Sequence, residues 1–124
     1  MSSKTINRDK NIYYFHKTYR KDEDIAKRYG LKLATIKKII KKMDEKAKER
    51  DQFIDELRDY TQLNYTNLKA SFIYNSLKRY LIANEIHSKI FTKDDLIETI
   101  KTNHIRGIGD RLRPIIEEFI ESTN

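Results

Sequence analysis

Apolar residues recur along this chain at intervals of three and four, which places them on one face of an α-helix. The spacing predicts helices over residues 11–19, 22–29, 33–43, 68–84, 93–101 and 111–121. Neither Gly nor Pro occurs from Leu31 to Arg106, so the usual turn-forming residues are missing from most of the chain. Because no alternating strand pattern is present, the sequence predicts an all-α protein.

Residues at the predicted helix ends support several of these boundaries. Asp22 is the expected N-cap of the second helix, and Gly30 suits a left-handed C-cap at its end. Thr92 and Asp95 have the spacing of a capping box before the fifth helix. Pro114 falls in the first turn of the last helix, where a missing amide hydrogen costs little.

The segment after residue 43 allows more than one interpretation. Phe53, Ile54, Leu57 and Tyr60 continue a rough apolar heptad, whereas residues 44–51 are almost wholly charged. Either one long helix runs through this segment or two helices meet within it, and a dimerising coiled coil is a further alternative. The polar stretch at 61–67 is the expected domain boundary. We therefore expect a flexible N-terminus at 1–10, a first module at 11–43, a charged linking helix at 44–63 and a second module at 64–124.

Charge is unevenly distributed along the 124 residues, whose net charge is +7. Residues 1–50 hold 16 Lys and Arg against 7 Asp and Glu, a net +9, and residues 51–124 hold 10 against 12, a net −2. A basic half attracts polyanions because binding releases condensed counterions. The alternative is that the lysines only keep the helices hydrated.

Several functional classes are disfavoured by composition. The chain has no Cys and only three widely separated His, which argues against disulfides and metal sites. No nucleophile–base pair, phosphate loop or metal-ligand spacing is visible, so we expect a non-enzyme without a cofactor. No apolar run approaches the ~20 residues that span a bilayer, and the polar N-terminus does not resemble a signal peptide. A cytoplasmic protein without membrane contact is the expectation.

The stretch from Glu23 to Lys42 has small, flexible and apolar residues at the places that two closely crossing helices need. The small residue is Ala26, the turn glycine is Gly30, and the apolar positions that lock the crossing are Ile25, Leu31, Ile36 and Ile39. This pattern resembles the helix-turn-helix of sigma-factor region 4 and of resolvases. The resemblance covers residues 11–43 and implies that the second helix lies in the major groove of DNA.

The resemblance also implies which side chains face DNA. On the second helix these are Lys32, Leu33, Ala34, Thr35, Lys37, Lys38 and Lys41, and on the first helix Lys27 and Arg28 would contact the backbone. The second helix offers no Arg, Asn or Gln on this face, so phosphate contacts dominate over base reading. Two alternatives remain open: a hydrated helical hairpin, and a helix-turn-helix that binds protein.

A second motif, "IRGIGDRLRP", contains two glycines that allow a backbone to approach a phosphate closely. The exposed amides from Gly107 to Gly109 and the following helix N-terminus form a predicted anion site, flanked by Arg106, Arg111 and Arg113. This form is typical of a helix-hairpin-helix.

Upstream of the hairpin, the stretch Y-N-x-L-K-R adds to this motif, with Tyr74, Asn75, Leu77, Lys78 and Arg79 as its residues. Together with Gly109, it resembles the C-terminal domain of the bacterial RNA polymerase alpha subunit. The resemblance covers residues 64–122 and implies contact with the minor-groove backbone through Asn75, Gly109 and Arg111. Phe72 stands where that family has an arginine, and Asp110 replaces a hairpin lysine. The alternative is a related fold that binds protein or only supports the first half.

The predicted function is binding of double-stranded DNA by a small transcriptional regulator of a bacterium, phage or mobile element. The alternatives are an accessory or architectural factor for plasmid transfer, replication or recombination, and an adaptor that contacts RNA polymerase. A homodimer is a further alternative that the sequence leaves open. The predicted DNA-contact residues are Lys27, Arg28, Lys32, Ala34, Thr35, Lys37, Lys38, Lys41, Asn75, Arg106, Gly107, Gly109 and Arg111.

Overall fold

The computed structural model describes residues 3–123, with side chains from Thr5 onward, and its regular structure is helical. The elements are α1 (Ser3–Lys17), α2 (Asp22–Tyr29), α3 (Leu33–Asn64), α4 (Asn67–Asn84), α5 (Lys93–Thr102) and α6 (Arg113–Ser122). Within the described residues, β pairing is limited to one isolated bridge between Ile105 and Ile108. The predicted all-α class is confirmed.

The start of α1 differs from the sequence prediction. The helix begins at Ser3, within the segment that was expected to be flexible, rather than at residue 11. Its first turns carry no apolar periodicity, and polar contacts hold them in place instead. Asp9 is buried and accepts a hydrogen bond of 3.0 Å from Lys42 of α3, and Lys10 pairs with Asp95 of α5. Met1 and Ser2 lie outside the described residues.

The apolar face of α1 does not include Tyr19, although Tyr19 follows Ile12 and Phe15 at helical spacing. Tyr19 is 96% exposed, while Tyr13 is fully buried. The helix ends at Lys17, so the spacing that placed Tyr19 on the inner face no longer applies.

Three helical segments end in the same pattern of two backbone hydrogen bonds around a left-handed residue, the Schellman motif. After α1 the left-handed residue is Tyr19, after α2 it is the predicted Gly30, and after the turn that follows α4 it is Lys89. At Gly30, for example, its own amide donates to Lys27 and the next amide donates to Ala26. Gly30 is therefore the expected C-cap, whereas the other two positions carry side chains.

The N-cap of α2 is not the residue that the sequence predicts. Lys21, in an extended conformation, is the N-cap, and Asp22 is the first helical residue. The Asp22 carboxylate lies 3.2 Å from His16 of α1 rather than over the helix amides. Asp22 therefore ties α2 to α1 instead of capping α2.

Helix α3 is continuous for 32 residues, or about 48 Å at the rise of an α-helix. The interpretation as one long helix is thus confirmed, and two helices meeting at residues 44–51 is wrong. The charged middle stays helical because α3 packs against a core at both ends.

Its first half contributes to the N-terminal cluster, which comprises Ile12, Tyr13, Ile25, Ala26, Ile36, Ile39, Ile40, Met43 and Phe91. Its second half contributes to the C-terminal cluster, which comprises Phe53, Ile54, Leu57, Ile73, Leu77, Leu81, Ile90, Leu96, Ile100, Ile105, Ile108, Ile115, Ile116, Phe119 and Ile120.

The segment between α4 and α5 links these two clusters. Ile90 is buried in the C-terminal cluster, and the next residue, Phe91, is buried in the N-terminal cluster. From the middle of α3, the buried Arg50 donates to the Ile90 carbonyl at 2.6 Å and pairs with Glu85 at 2.7 Å. Helix α3 ends at Asn64 and α4 begins at Asn67, within the polar stretch, while the two halves remain in contact through residues 85–91.

Candidate nucleic-acid interface

The α2–α3 unit places its apolar and small residues where the sequence predicts. Ile25, Ala26, Ile36 and Ile39 are buried, and the neighbouring Leu31 is partly buried. Gly30 has φ 64°, a conformation in which a side chain would be strained. The close approach of α2 to α3 therefore rests on the residues that the pattern singled out.

The opposite face of this unit presents the predicted contact residues. Seven of them are exposed: Lys27, Arg28, Lys32, Ala34, Lys37, Lys38 and Lys41. Thr35 and Leu33 are half-buried. None of the five lysines forms a salt bridge within the part of the chain that the structure describes, whereas Lys42, one position further on, pairs with the buried Asp9. Positive charge on this face is therefore not neutralised by the protein itself.

The net charge of helix α3 changes from positive to negative along its length. Residues 33–48 hold six Lys against two acidic residues, and residues 49–64 hold five acidic residues against two Arg. A phosphate backbone is attracted to the first half and repelled by the second. Any contact of α3 with a polyanion must therefore use its N-terminal half, with the C-terminal half directed away.

The hairpin before α6 is held by α4. Ile108 donates to the Ile105 carbonyl at 3.0 Å across a tight turn in which Gly107 has φ 93°. A Cβ atom on Gly107 would lie 2.2 Å from the hydroxyl oxygen of Ser76 in α4. Gly107 is therefore needed for the turn and for packing on α4. The sequence interpretation had explained this glycine by close approach of the backbone to a phosphate. Gly109 has open space around its Cα.

The hairpin retains some of the predicted anion-binding groups and lacks others. Gly109 and the Arg106 and Arg111 side chains are exposed, and the amides of residues 109–111 donate no hydrogen bond within residues 3–123. Arg113, however, donates to the carbonyls of Ile100 and Asn103 at the end of α5. The prediction that Arg113 flanks the anion site is therefore wrong, because its guanidinium caps another helix. Helix α6 begins at Arg113, two residues later than expected.

Asn75 is exposed on α4 and directly precedes Ser76, the residue against which Gly107 packs. The same face of α4 carries Leu68, Phe72 and Ile82, which are 66%, 55% and 88% exposed. These positions are spaced by three, four or seven residues from Asn75 or from one another, so they form one stripe. The sequence pattern does not identify this stripe, because Phe72 is notable there only as the residue that replaces an arginine of the resembled family.

Two further features are absent from the described residues. These residues contain no group of three or more His, Asp or Glu arranged to hold a metal ion. They also contain no helix that is both long and apolar enough to cross a membrane.

Comparison with known proteins gave no matching family model, no similar curated protein and no similar solved structure.

Proposed function

We propose that this protein binds double-stranded DNA through the basic face of the α2–α3 unit, defined as Lys27, Arg28, Lys32, Ala34, Thr35, Lys37, Lys38 and Lys41. The observation that carries the proposal is that the five lysines are exposed and lack carboxylate partners within the described residues, on the side opposite the buried face. Such a surface attracts phosphates and releases counterions on binding. A small transcriptional regulator is the role we propose for this activity.

The chemistry of the basic face favours phosphate contacts. Lysine ammonium groups bind phosphates as point charges, while Ala34 and Thr35 can touch a thymine methyl group. The acidic second half of α3 makes a contact along its whole length unfavourable. Helix α3 would therefore meet the groove with its N-terminal half, and sequence specificity would need a second contact.

The hairpin supplies a candidate second contact. The amides of residues 109–111, which donate no hydrogen bond to the described part of the chain, and the exposed Arg106 and Arg111 side chains can hold a phosphate. Two modest contacts on one chain strengthen binding through effective concentration. The double substitution Arg106→Ala/Arg111→Ala tests this part separately, because it leaves the α2–α3 unit unchanged.

One observation favours a second function for the C-terminal half. The exposed Leu68, Phe72 and Ile82 place apolar surface on the same side of α4 as Asn75, which suits a protein better than a phosphate backbone. An adaptor that contacts another protein, such as RNA polymerase, is therefore the second candidate. If it is correct, substituting Phe72 will leave DNA binding unchanged.

The test is duplex binding measured by fluorescence anisotropy at several salt concentrations. We expect the logarithm of affinity to fall steeply with the logarithm of salt. The double variant Lys37→Ala/Lys41→Ala should reduce that slope by about 1.8, because each lost phosphate contact contributes about 0.9.

The matched control is Lys69→Ala/Lys101→Ala, which removes the same charge from exposed positions on α4 and α5. This control should bind DNA like the unmodified protein. A flat salt dependence, or equal losses in the two double variants, would refute the proposed interface.

A further inference from the structure

Two arginines lie against one aromatic ring next to the basic face. The guanidinium carbon of Arg20 is 4.9 Å from the centre of the Phe15 ring, and that of Arg28 is 4.7 Å from the same centre. Both arginines are exposed, and neither forms a salt bridge with any carboxylate in the described part of the chain. They come from different segments, since Arg20 follows α1 and Arg28 lies in the last turn of α2.

The backbone fixes the position of Arg20. In the cap after α1, the Arg20 amide donates to the Phe15 carbonyl at 3.0 Å, and the Tyr19 amide donates to the His16 carbonyl at 3.2 Å. This Schellman arrangement brings the side chains of its two outer residues together, and that contact is usually apolar. Here the contact joins the Arg20 guanidinium to the Phe15 ring. Phe15 therefore holds Arg20 through the cap and Arg28 through the packing of α2 on α1.

Stacking on the ring prepares both arginines for binding. The two guanidinium carbons lie within about 10 Å of each other, since each contacts the same ring. Two exposed like charges at such a distance repel each other weakly, and no carboxylate within the described residues offsets that repulsion, so an anion between them is favoured. A side chain that is already ordered loses less conformational entropy when it binds, and a planar guanidinium matches two phosphate oxygens.

Tyr19 adds an independent observation at the same place. It is 96% exposed and has φ 67°, although a left-handed conformation costs a residue with a side chain about 1–2 kcal/mol. The equivalent position after α2 is Gly30, which avoids this cost. Because Tyr19 buries almost none of its ring, packing does not account for an aromatic side chain at this left-handed position.

We propose that Arg20 and Arg28, positioned by Phe15, form a phosphate clamp for the DNA backbone, and that Tyr19 packs against the sugar–phosphate chain beside it. This inference rests on the proposed DNA binding and adds Arg20 and Tyr19, which the helix-turn-helix pattern does not identify, to the contact already proposed for Arg28. The clamp would contact backbone flanking the groove in which the basic face lies. It would strengthen binding to all duplex sequences alike, because phosphates carry no sequence information.

Arg20→Ala is the central test, since Arg20 is not part of the basic face. We expect weaker duplex binding and a salt slope lower by about 0.9. Arg20→Lys keeps the charge but not the planar fork, so it should restore the slope while restoring only part of the affinity. Phe15→Leu keeps both arginines and removes the ring, and it should weaken binding with little change in slope. The denaturant midpoints of all variants report whether the fold is intact.

Tyr19→Gly separates function from structure. Glycine relieves the left-handed strain, so we expect a higher denaturation midpoint together with weaker DNA binding. A residue with only a structural role would not move the two measurements in opposite directions. Unchanged DNA affinity in the stabilised variant would eliminate Tyr19 from the clamp.

The outcomes also distinguish this inference from the proposed function. If Arg20→Ala binds DNA like the unmodified protein while Lys37→Ala/Lys41→Ala does not, the clamp is overturned and DNA binding through the basic face stands. If the unmodified protein shows no salt-dependent binding to duplex DNA, both proposals fall.

Discussion

The ring of Phe91 stands edge-on against the ring of Tyr13, with centroids 4.9 Å apart and planes at 90°. Tyr13 belongs to α1, whereas Phe91 lies just before α5 in the C-terminal half of the sequence. Both side chains are buried in the N-terminal cluster. The hydrophobic interior therefore connects the two halves, in addition to the continuous α3 helix.

Replacing Phe91 with alanine should destabilise the whole protein. Removing a fully buried phenylalanine costs about 3–5 kcal/mol, because its transfer energy is lost and a cavity remains. Phe72→Ala is the matched control, since that phenylalanine is 55% exposed and should change the free energy of unfolding by less than about 1 kcal/mol. Urea unfolding followed by circular dichroism measures both. A loss at Phe91 no larger than that at Phe72 would contradict the shared interior.

Arg50 is expected to contribute to the same junction by polar contacts. Arg50→Ala removes the hydrogen bond to the Ile90 carbonyl and the ion pair with Glu85, which should cost about 2–3 kcal/mol. Arg58→Ala provides the comparison, because its pair with Asp59 is longer, at 3.8 Å, and partly exposed. We expect the second change to cost less than about 1 kcal/mol in the same unfolding experiment. Equal losses would show that the junction does not depend on Arg50.

The two hairpin glycines should respond differently to alanine. Gly107→Ala forces a left-handed alanine and a clash with Ser76, so we expect a loss of about 2–4 kcal/mol in the free energy of unfolding. Gly109→Ala meets no atom within 4 Å and should leave stability unchanged or slightly raised. Thermal denaturation of the two variants side by side checks this, and a tolerated Gly107→Ala would mean that the hairpin is not packed on α4 as described.

Stability should decline in alkali because of Tyr13. Burial, with help from the hydrogen bond to Asp44 and from nearby negative charge, raises the pKa of the Tyr13 hydroxyl well above its ordinary value of 10.0. The neutral form is thus favoured in the folded state. Its stabilising contribution is complete below the unfolded-state pKa of about 10 and is lost as pH rises toward the folded-state pKa.

Tyr13→Phe removes this titration, at the cost of the 2.6 Å hydrogen bond to Asp44. The variant should be less stable than the unmodified protein at neutral pH, by about 1 kcal/mol, and the gap should narrow above pH ~10. Urea midpoints measured across the alkaline range give the comparison. A gap that stays constant with pH would show that Tyr13 does not titrate as proposed.

Local features of this protein could be predicted wherever a short stretch of sequence carries its own physical signal. The Thr92 capping box forms as the spacing predicts, with the Asp95 carboxylate accepting the Thr92 amide at 3.0 Å. The Gly30 cap, the buried face of α2 and α3 and the exposed lysines follow from periodicity and from glycine chemistry. These predictions succeed because the interactions that decide them lie within one helical turn of each other.

Other features depend on partners that are distant in sequence. The first turns of α1 are held by two ion pairs, Asp9 with Lys42 and Lys10 with Asp95. The sequence of residues 3–10 does not indicate these distant partners. Arg113 has the position of a phosphate ligand in the sequence, but in the structure its guanidinium donates to a carbonyl at the end of α5. Phe91 lies in the connector before the Thr92 capping box, and its contact with Tyr13 of α1 is 78 residues away in sequence.

The sequence by itself determined the helical class, most helix limits and the face of α3 that remains in water, because helix periodicity and caps are local. The tertiary structure alone decided that the two halves share an interior, that Gly107 packs on Ser76, and that Arg20 and Arg28 meet on one ring. Those relationships depend on how helices are arranged in space, and a one-dimensional pattern of polar and apolar residues does not encode which faces meet.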